Sequence, residues 1–173
     1  SILHAVYRGR AEVTAADEVR VLYGKAHITE ELQVPDGDGA RTFRLRISPF
    51  GFSQTNSAAT EILYGTIRQW VKEGRPRFVY DLYGGSGGIA FSVSDKVDRV
   101  ISVESEEIAS IDGSFNREAI DADNVVFLTQ NVEDYLRDAI SMQHGLLPQS
   151  MVVLDPPRAG LHPKAIKRLL TLK

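Results

Sequence analysis

The run Phe78-Val79-Tyr80-Asp81-Leu82-Tyr83-Gly84-Gly85-Ser86-Gly87-Gly88-Ile89-Ala90 decides the fold of this chain. Its first five residues read as a short buried strand. Four glycines within five positions then turn the backbone abruptly into a helix. Glycine permits such a turn, and it lets a ligand approach the N–H groups at the helix start. Working outward, the apolar stretches 100–103, 125–128 and 151–154 are short and rich in β-branched residues, as buried parallel strands are. Segments near 87–96, 106–120, 132–143 and 163–172 have helical length and separate or follow those strands. The alternation predicts an α/β chain with a Rossmann-like, doubly wound parallel sheet and right-handed crossovers.

Toward the N-terminus the period changes. Val19-Arg20-Val21-Leu22-Tyr23 and Phe43-Arg44-Leu45-Arg46-Ile47 alternate apolar with polar residues, the pattern of half-buried antiparallel strands. Pro35-Asp36-Gly37-Asp38-Gly39 between them is dense in turn formers. Residues 1–49 are therefore expected to form a small antiparallel β segment ahead of the sheet domain, 50–173. A helix is expected from residue 56 or 57 to 73, with Ser57 as its N-cap ahead of Glu61 and Ile62, Ile67, Trp70 and Val71 at helical spacing. Gly74-Arg75-Pro76 ends it.

Composition narrows the function. A chain of 173 residues, 43% hydrophobic and 25% charged, is not disordered, collagenous or a disulfide knot. It has no cysteine, which excludes disulfides, thiolate metal sites and a thiol nucleophile among these residues, and no metal site is expected. The net charge of −3 argues against a nucleic-acid binder that uses its whole surface. The charge is nevertheless uneven, +2 over residues 1–80 and −5 over 81–173. With no 18-residue apolar run and no leader-like start, neither a membrane span nor export is expected, which points to the cytoplasm. Ser1 in place of Met suggests a trimmed piece.

The glycine turn has two readings. As Gly85-x-Gly87-x-x-Ala90 it is a dinucleotide turn, with a pyrophosphate on the helix N-terminus. As an acidic strand, Asp81, followed by Gly85-x-Gly87, it matches the pattern of S-adenosylmethionine (SAM) methyltransferases, and a carboxylate suits a cationic methionyl amine better than a diphosphate. Glu104 ends the second strand 19 residues past Gly85, where either adenosine ribose offers it hydroxyls. On the fourth strand, Leu154-Asp155-Pro156-Pro157-Arg158 delivers an acid to the ligand-binding edge, and two prolines hold it in an extended turn. Arg158 stands where amino-directed methyltransferases carry an aromatic, and its guanidinium suits phosphate, a carboxylate, a carbonyl-rich base or Asp155 itself. Upstream, Phe50-Gly51-Phe52-Ser53-Gln54-Thr55-Asn56 reads either as a ligand-facing loop or as core aromatics with a capping amide.

Taken together, Phe52-Ser53-Gln54-Thr55-Asn56, Asp81 through Gly88, Val103-Glu104, Gln130-Asn131-Val132-Glu133 and Asp155-Pro156-Pro157-Arg158-Ala159-Gly160 resemble the class I SAM-dependent RNA uracil-C5 methyltransferases, from about residue 50 onward. The resemblance implies a class I methyltransferase sheet, SAM as cofactor and ribosomal or transfer RNA as partner. It implies cofactor contacts at Gln54, Tyr83, Gly85, Gly87, Gly88, Glu104, Asn131 and Asp155, with Asp155 and Arg158 also near the substrate. Two positions depart from the family. Gly84 stands where a cysteine is common, a change expected to cost little, and Gly88 stands where relatives have an amide side chain. In this family a cysteine thiolate adds to uracil C6, C5 then attacks the SAM methyl, and a carboxylate removes the C5 proton. The resemblance places both groups beyond the fourth strand, past Lys173, so no catalytic residue is expected here and the chain reads as a partial, SAM-binding piece. An unpaired edge at 151–154 would invite self-association. Two alternatives stay open. One is an NAD-dependent oxidoreductase. The other is a non-catalytic RNA-binding module using Arg41, Arg44, Arg46, Arg68, Lys72, Arg75 and Arg77.

Overall fold

The computed structural model describes residues 1–8, 16–51, 53–141, 145–158 and 160–172. Phe52 and Ala159 of the motifs, and the expected end of the helix at 142–143, lie outside the described residues. Two antiparallel pairs come first: β1 (Ile2–Val6) with β2 (Glu18–Tyr23), and β3 (Ile28–Asp36) with β4 (Gly39–Ile47). Gly37 and Asp38 alone make the turn of the second hairpin, and Gly37 takes a positive φ that glycine accommodates freely. Then follow α1 (Ser57–Gly74), β5 (Phe78–Leu82), α2 (Gly88–Val93), a 3-10 turn at Ser94–Lys96, β6 (Arg99–Glu104), α3 (Glu107–Ile120), β7 (Val125–Thr129), α4 (Val132–Ser141), β8 (Ser150–Leu154) and α5 (Pro163–Thr171).

The last four strands form one parallel sheet in the order β7-β6-β5-β8. The chain switches direction across the sheet between β5 and β8, which opens a crevice at the carboxyl ends. Each face has its own apolar layer. Val79, Val100 and Val125 face the β3–β4 hairpin, α1 and α2, while Tyr80, Leu82, Ile101 and Val103 face α4 and α5. The doubly wound sheet is thus as expected.

The two hairpins have different fates despite the same alternation. Phe43, Leu45 and Ile47 of β4 are buried in the core with Leu32 and Val34. Val19, Val21 and Tyr23 of β2 are exposed, so that strand is not half-buried as the pattern suggested. Helix α1 also departs from expectation. Its cap is Asn56, whose side chain accepts from the Ala59 N–H at 3.1 Å, while Ser57 begins the helix and donates to Glu30. Its buried stripe is Thr60, Tyr64, Ile67, Arg68 and Val71. Ile62 and Trp70 lie on the outer face, 66% and 56% exposed, because the hairpin and α2 cover only the stripe that contains Tyr64.

Candidate functional site

A cavity of about 930 Å³ opens at the carboxyl ends of the sheet strands. Its floor is the glycine turn, one wall is the start of α3, and the other is formed by Phe50, Gly51, Ser53, Gln54 and Thr55 with Asp155, Pro156 and Pro157. Gln54, Tyr83, Gly85, Gly88, Glu104, Asn131 and Asp155 all line it, so seven of the eight residues expected to contact a cofactor converge on one space.

The turn is placed by packing. The Tyr83 and Gly84 N–H groups both donate to the Val103 carbonyl, at 3.0 and 3.1 Å, and Gly87 N–H donates to the Gly84 carbonyl at 3.0 Å. A Cβ on Gly84 would lie 2.0 Å from Ser102 Oγ and 2.9 Å from Asp81 Oδ2. Ser102 and Asp81 fill the space that a side chain at position 84 would need, so glycine fits the turn as it is packed here. Gly87, also expected to touch the cofactor, is not among the lining residues. Its φ is +95° and a Cβ would meet the rings of Phe91 and Phe127 at 2.5 and 2.7 Å, so its role is to let the turn seat on the core. Among the described residues nothing lies within 4 Å of a Cβ position on Gly85, leaving open space for a ligand against its backbone.

Of the acids that line the cavity, Glu104 and Asp155 end strands on either side of β5. Glu104, on β6, accepts from Gly85 N–H at 2.9 Å through Oε2 and from Glu106 N–H at 2.8 Å through Oε1. A carboxylate has about four acceptor sites, so capacity remains for ligand hydroxyls. Asp155, at the end of β8, accepts from Gln54 Nε2 at 3.3 Å, which joins two motifs 101 residues apart. Asn131 uses its carbonyl to accept from Glu133 N–H at 2.8 Å at the start of α4, so the donor half of its amide is what it can offer a ligand. Arg158 is exposed and is not among the lining residues. Asp81 is also outside the lining. It is fully buried beneath the turn, with Oδ1 unpartnered among the described residues. Burial pushes its carboxyl up to about 7, the nearby Asp155 and Glu104 charges add to that, and the Ala90 N–H and Ser102 oppose it.

Sequence reasoning missed Tyr64. This residue of α1 lines the cavity, and its hydroxyl lies 2.3 Å from where a Gly88 Cβ would stand, so Gly88 is the residue that makes room for it. Burial, then the charges of Asp81 and Asp155, hold the phenol well above its ordinary value, and it stays a neutral donor. Its spacing of three and seven residues from Ile67 and Val71 was the available signal. The support under the wall that contains Phe50 and Gly51 was also missed. Buried Asp112 of α3 accepts from Ser48 N–H and Oγ at 2.6 and 2.7 Å. Asn116 brackets Arg46, accepting from its N–H at 2.7 Å and donating to its carbonyl at 3.0 Å, and the same Nδ2 reaches the Ser86 carbonyl of the turn at 3.4 Å.

The basic residues that suggested an RNA module are largely engaged within the chain. Arg68 is 1% exposed and ion-paired with Asp36 and Asp95, Arg41 pairs with Asp95, Arg44 with Glu31, Arg46 with Asp112 and Arg77 with Asp98. Arg68 is therefore structural, while Lys72 and Arg75 are exposed. No cluster of metal-ligating side chains and no helix long and apolar enough to cross a membrane occurs among the described residues.

No family model matches the chain. It is similar to a Protochlamydia amoebophila protein described as an uncharacterized RNA methyltransferase, at 36% identity over 88% of this chain and 34% of that protein. It is also similar to the Homo sapiens tRNA (uracil-5-)-methyltransferase homolog A, at 39% identity over 70% of this chain and 19% of that protein. Among solved structures it superposes on the Pyrococcus abyssi tRNA (uracil-54, C5)-methyltransferase in complex with S-adenosyl-L-homocysteine, with TM-score 0.72 and 28% identity over 95% of this chain and 36% of that one. The chain spans about a third of the length of the first curated relatives it matches.

Proposed function

We propose that this chain, which belongs to the family of RNA methyltransferases containing the tRNA (uracil-5-)-methyltransferase homologs, is the SAM-binding part of an enzyme that methylates C5 of a uridine in ribosomal or transfer RNA. The observation that carries the reading is one cavity with Glu104 over the glycine turn at one end and the Gln54–Asp155 pair at the other. Those groups suit a ligand with a diol at one end and a cationic centre toward the other. Glu104 would take the ribose hydroxyls, Gly85 and Gly88 would admit the methionyl chain against their backbone, and the Tyr64 hydroxyl and the Asn131 amide would supply donors. Bound there, SAM supplies an electrophilic methyl group. Asp155 and Gln54 orient what enters at the β8 end, beside the exposed Arg158, whose charge suits RNA phosphate. None of the 173 residues is a cysteine, so these residues bind and orient without supplying the thiolate step.

The oxidoreductase alternative loses its footing at Gly85. Its N–H is already committed to the Glu104 carboxylate, which puts negative charge over the turn where a diphosphate would need cation-like donors. Calorimetry tests the reading. SAM and S-adenosylhomocysteine should bind and NAD should not, and the reverse result sinks it. Binding of transfer or ribosomal RNA should weaken steeply with salt. The cytoplasm is the compartment that goes with such a substrate. Among the described residues β8 is an edge strand, and self-association of this chain through that edge is part of the reading, which a monodisperse monomer in sedimentation would remove.

A further inference from the structure

Five non-glycine residues among those described have φ in the left-handed region: Phe50, Arg75, Tyr83, Asp121 and Gln149. Arg75 and Asp121 are helix C-caps, where that conformation is offset by the capping bonds their own N–H groups make. Tyr83 is repaid by its bond to the Val103 carbonyl. Phe50, at φ +69°, is the third residue of the turn Ser48-Pro49-Phe50-Gly51, closed by the Gly51 N–H to the Ser48 carbonyl. A glycine would adopt its backbone without strain, yet the position holds a bulky ring that is 44% exposed, so core burial does not offset the cost. Phe50 lines the cavity.

Its place along the cavity follows from the anchors of its segment. Ser48, two residues earlier, is gripped by Asp112 of α3, and Gly51 N–H returns to the Ser48 carbonyl at 3.0 Å. A Cβ on Gly51 would sit 3.5 Å from Asp112 Oδ2. Gln54, four residues later, reaches Asp155 at the β8 end. Ser48 is thus held on the α3 side and Gln54 on the β8 side, and Phe50, two residues from Ser48, stands on the α3 side. Glu104 and Ile108 line the same end.

We infer that Phe50 is an adenine-binding residue: the turn that holds it presents the ring as a stacking wall for the purine of a nucleoside cofactor whose ribose is held by Glu104. The inference rests on the proposed SAM site. Stacking of a base on an aromatic side chain contributes enough that its loss should weaken binding roughly tenfold. The test is S-adenosylhomocysteine calorimetry with thermal melts on this chain and on Phe50→Gly, Phe50→Asn and Phe50→Tyr. Glycine and asparagine both tolerate the left-handed region, so both variants should melt no lower than the parent while binding roughly tenfold more weakly. Phe50→Tyr should bind like the parent. Unchanged affinity in Phe50→Gly and Phe50→Asn overturns the inference, as does a lowered melt in both, which would make the ring a packing residue. Intact S-adenosylhomocysteine binding with weakened RNA binding overturns it too, reassigning the ring to an RNA base. If the parent itself fails to bind S-adenosylhomocysteine, the proposed function falls first and this inference with it.

Discussion

At the glycine-turn end of the cavity nearly every atom is placed by packing, whereas the Asp155 end is held by hydrogen bonds of 3.3 and 3.5 Å and a pair of prolines. Gly84, Gly87 and Gly88 each lack room for a Cβ, and Glu104 is fastened by two backbone N–H groups at 2.9 and 2.8 Å. The difference teaches a division of labour. The ordering cost at the turn is met when the chain folds, so a small ligand meets a finished surface there. The β8 end is held less tightly, by longer hydrogen bonds.

The most severe way to break that contrast is Gly87→Ala. The added methyl must displace the rings of Phe91 and Phe127 at a φ of +95°, and the expected loss is about 3 kcal/mol or more by urea denaturation. Gly85→Ala, at φ +54° but facing open space, should cost only about 1 kcal/mol. Equal losses would mean that packing does not distinguish the two glycines. Next in size, Glu104→Gln should lower S-adenosylhomocysteine affinity by about 2 kcal/mol, roughly 30-fold, because it removes the charge-assisted acceptor at the finished end.

Asp81 sharpens the comparison through pH. Its carboxyl is raised from 3.8 to about 7, so between those values the native state holds a proton that the unfolded state has lost. Stability should therefore fall as pH rises across that window and level off above it, by at most about 1.4 kcal/mol per pH unit. Denaturation at pH 5 and pH 8 should show the fall in the parent and not in Asp81→Asn. A parent that gains stability over the same window would contradict the buried, raised acid. The smallest effect belongs to the loose end: Gln54→Ala should weaken S-adenosylhomocysteine binding by about 1 kcal/mol or less, since its hydrogen bond to Asp155 is long.

Much of this was legible before any coordinates. The strands after the hairpins fall within a residue of the apolar runs, because a buried strand must be apolar on both faces and its length is short. Glu104 and Asp155 stand out in the sequence as acids that end apolar runs, whereas Gln54 and Asn131 were expected only from the resemblance of their motifs. Ile62 and Trp70 misled because hydrophobicity does not say which helical stripe a neighbour covers. Val19, Val21 and Tyr23 misled in the same way, since alternation marks a face able to be buried and not one that is. Arg68 was the opposite error. A charged side chain reads as surface until Asp36 and Asp95, 32 residues before it and 27 after, close around it.

Local chemistry alone thus dictated the strand–helix alternation, the tight glycine turn and the acids at the strand ends, because each depends on neighbours a few residues away. The order β7-β6-β5-β8, the meeting of Gln54 with Asp155, the burial of Asp81 and the Tyr64–Gly88 fit were decided only by tertiary packing. Each brings together groups remote in sequence, and which of them share a space depends on how whole layers bury their apolar faces.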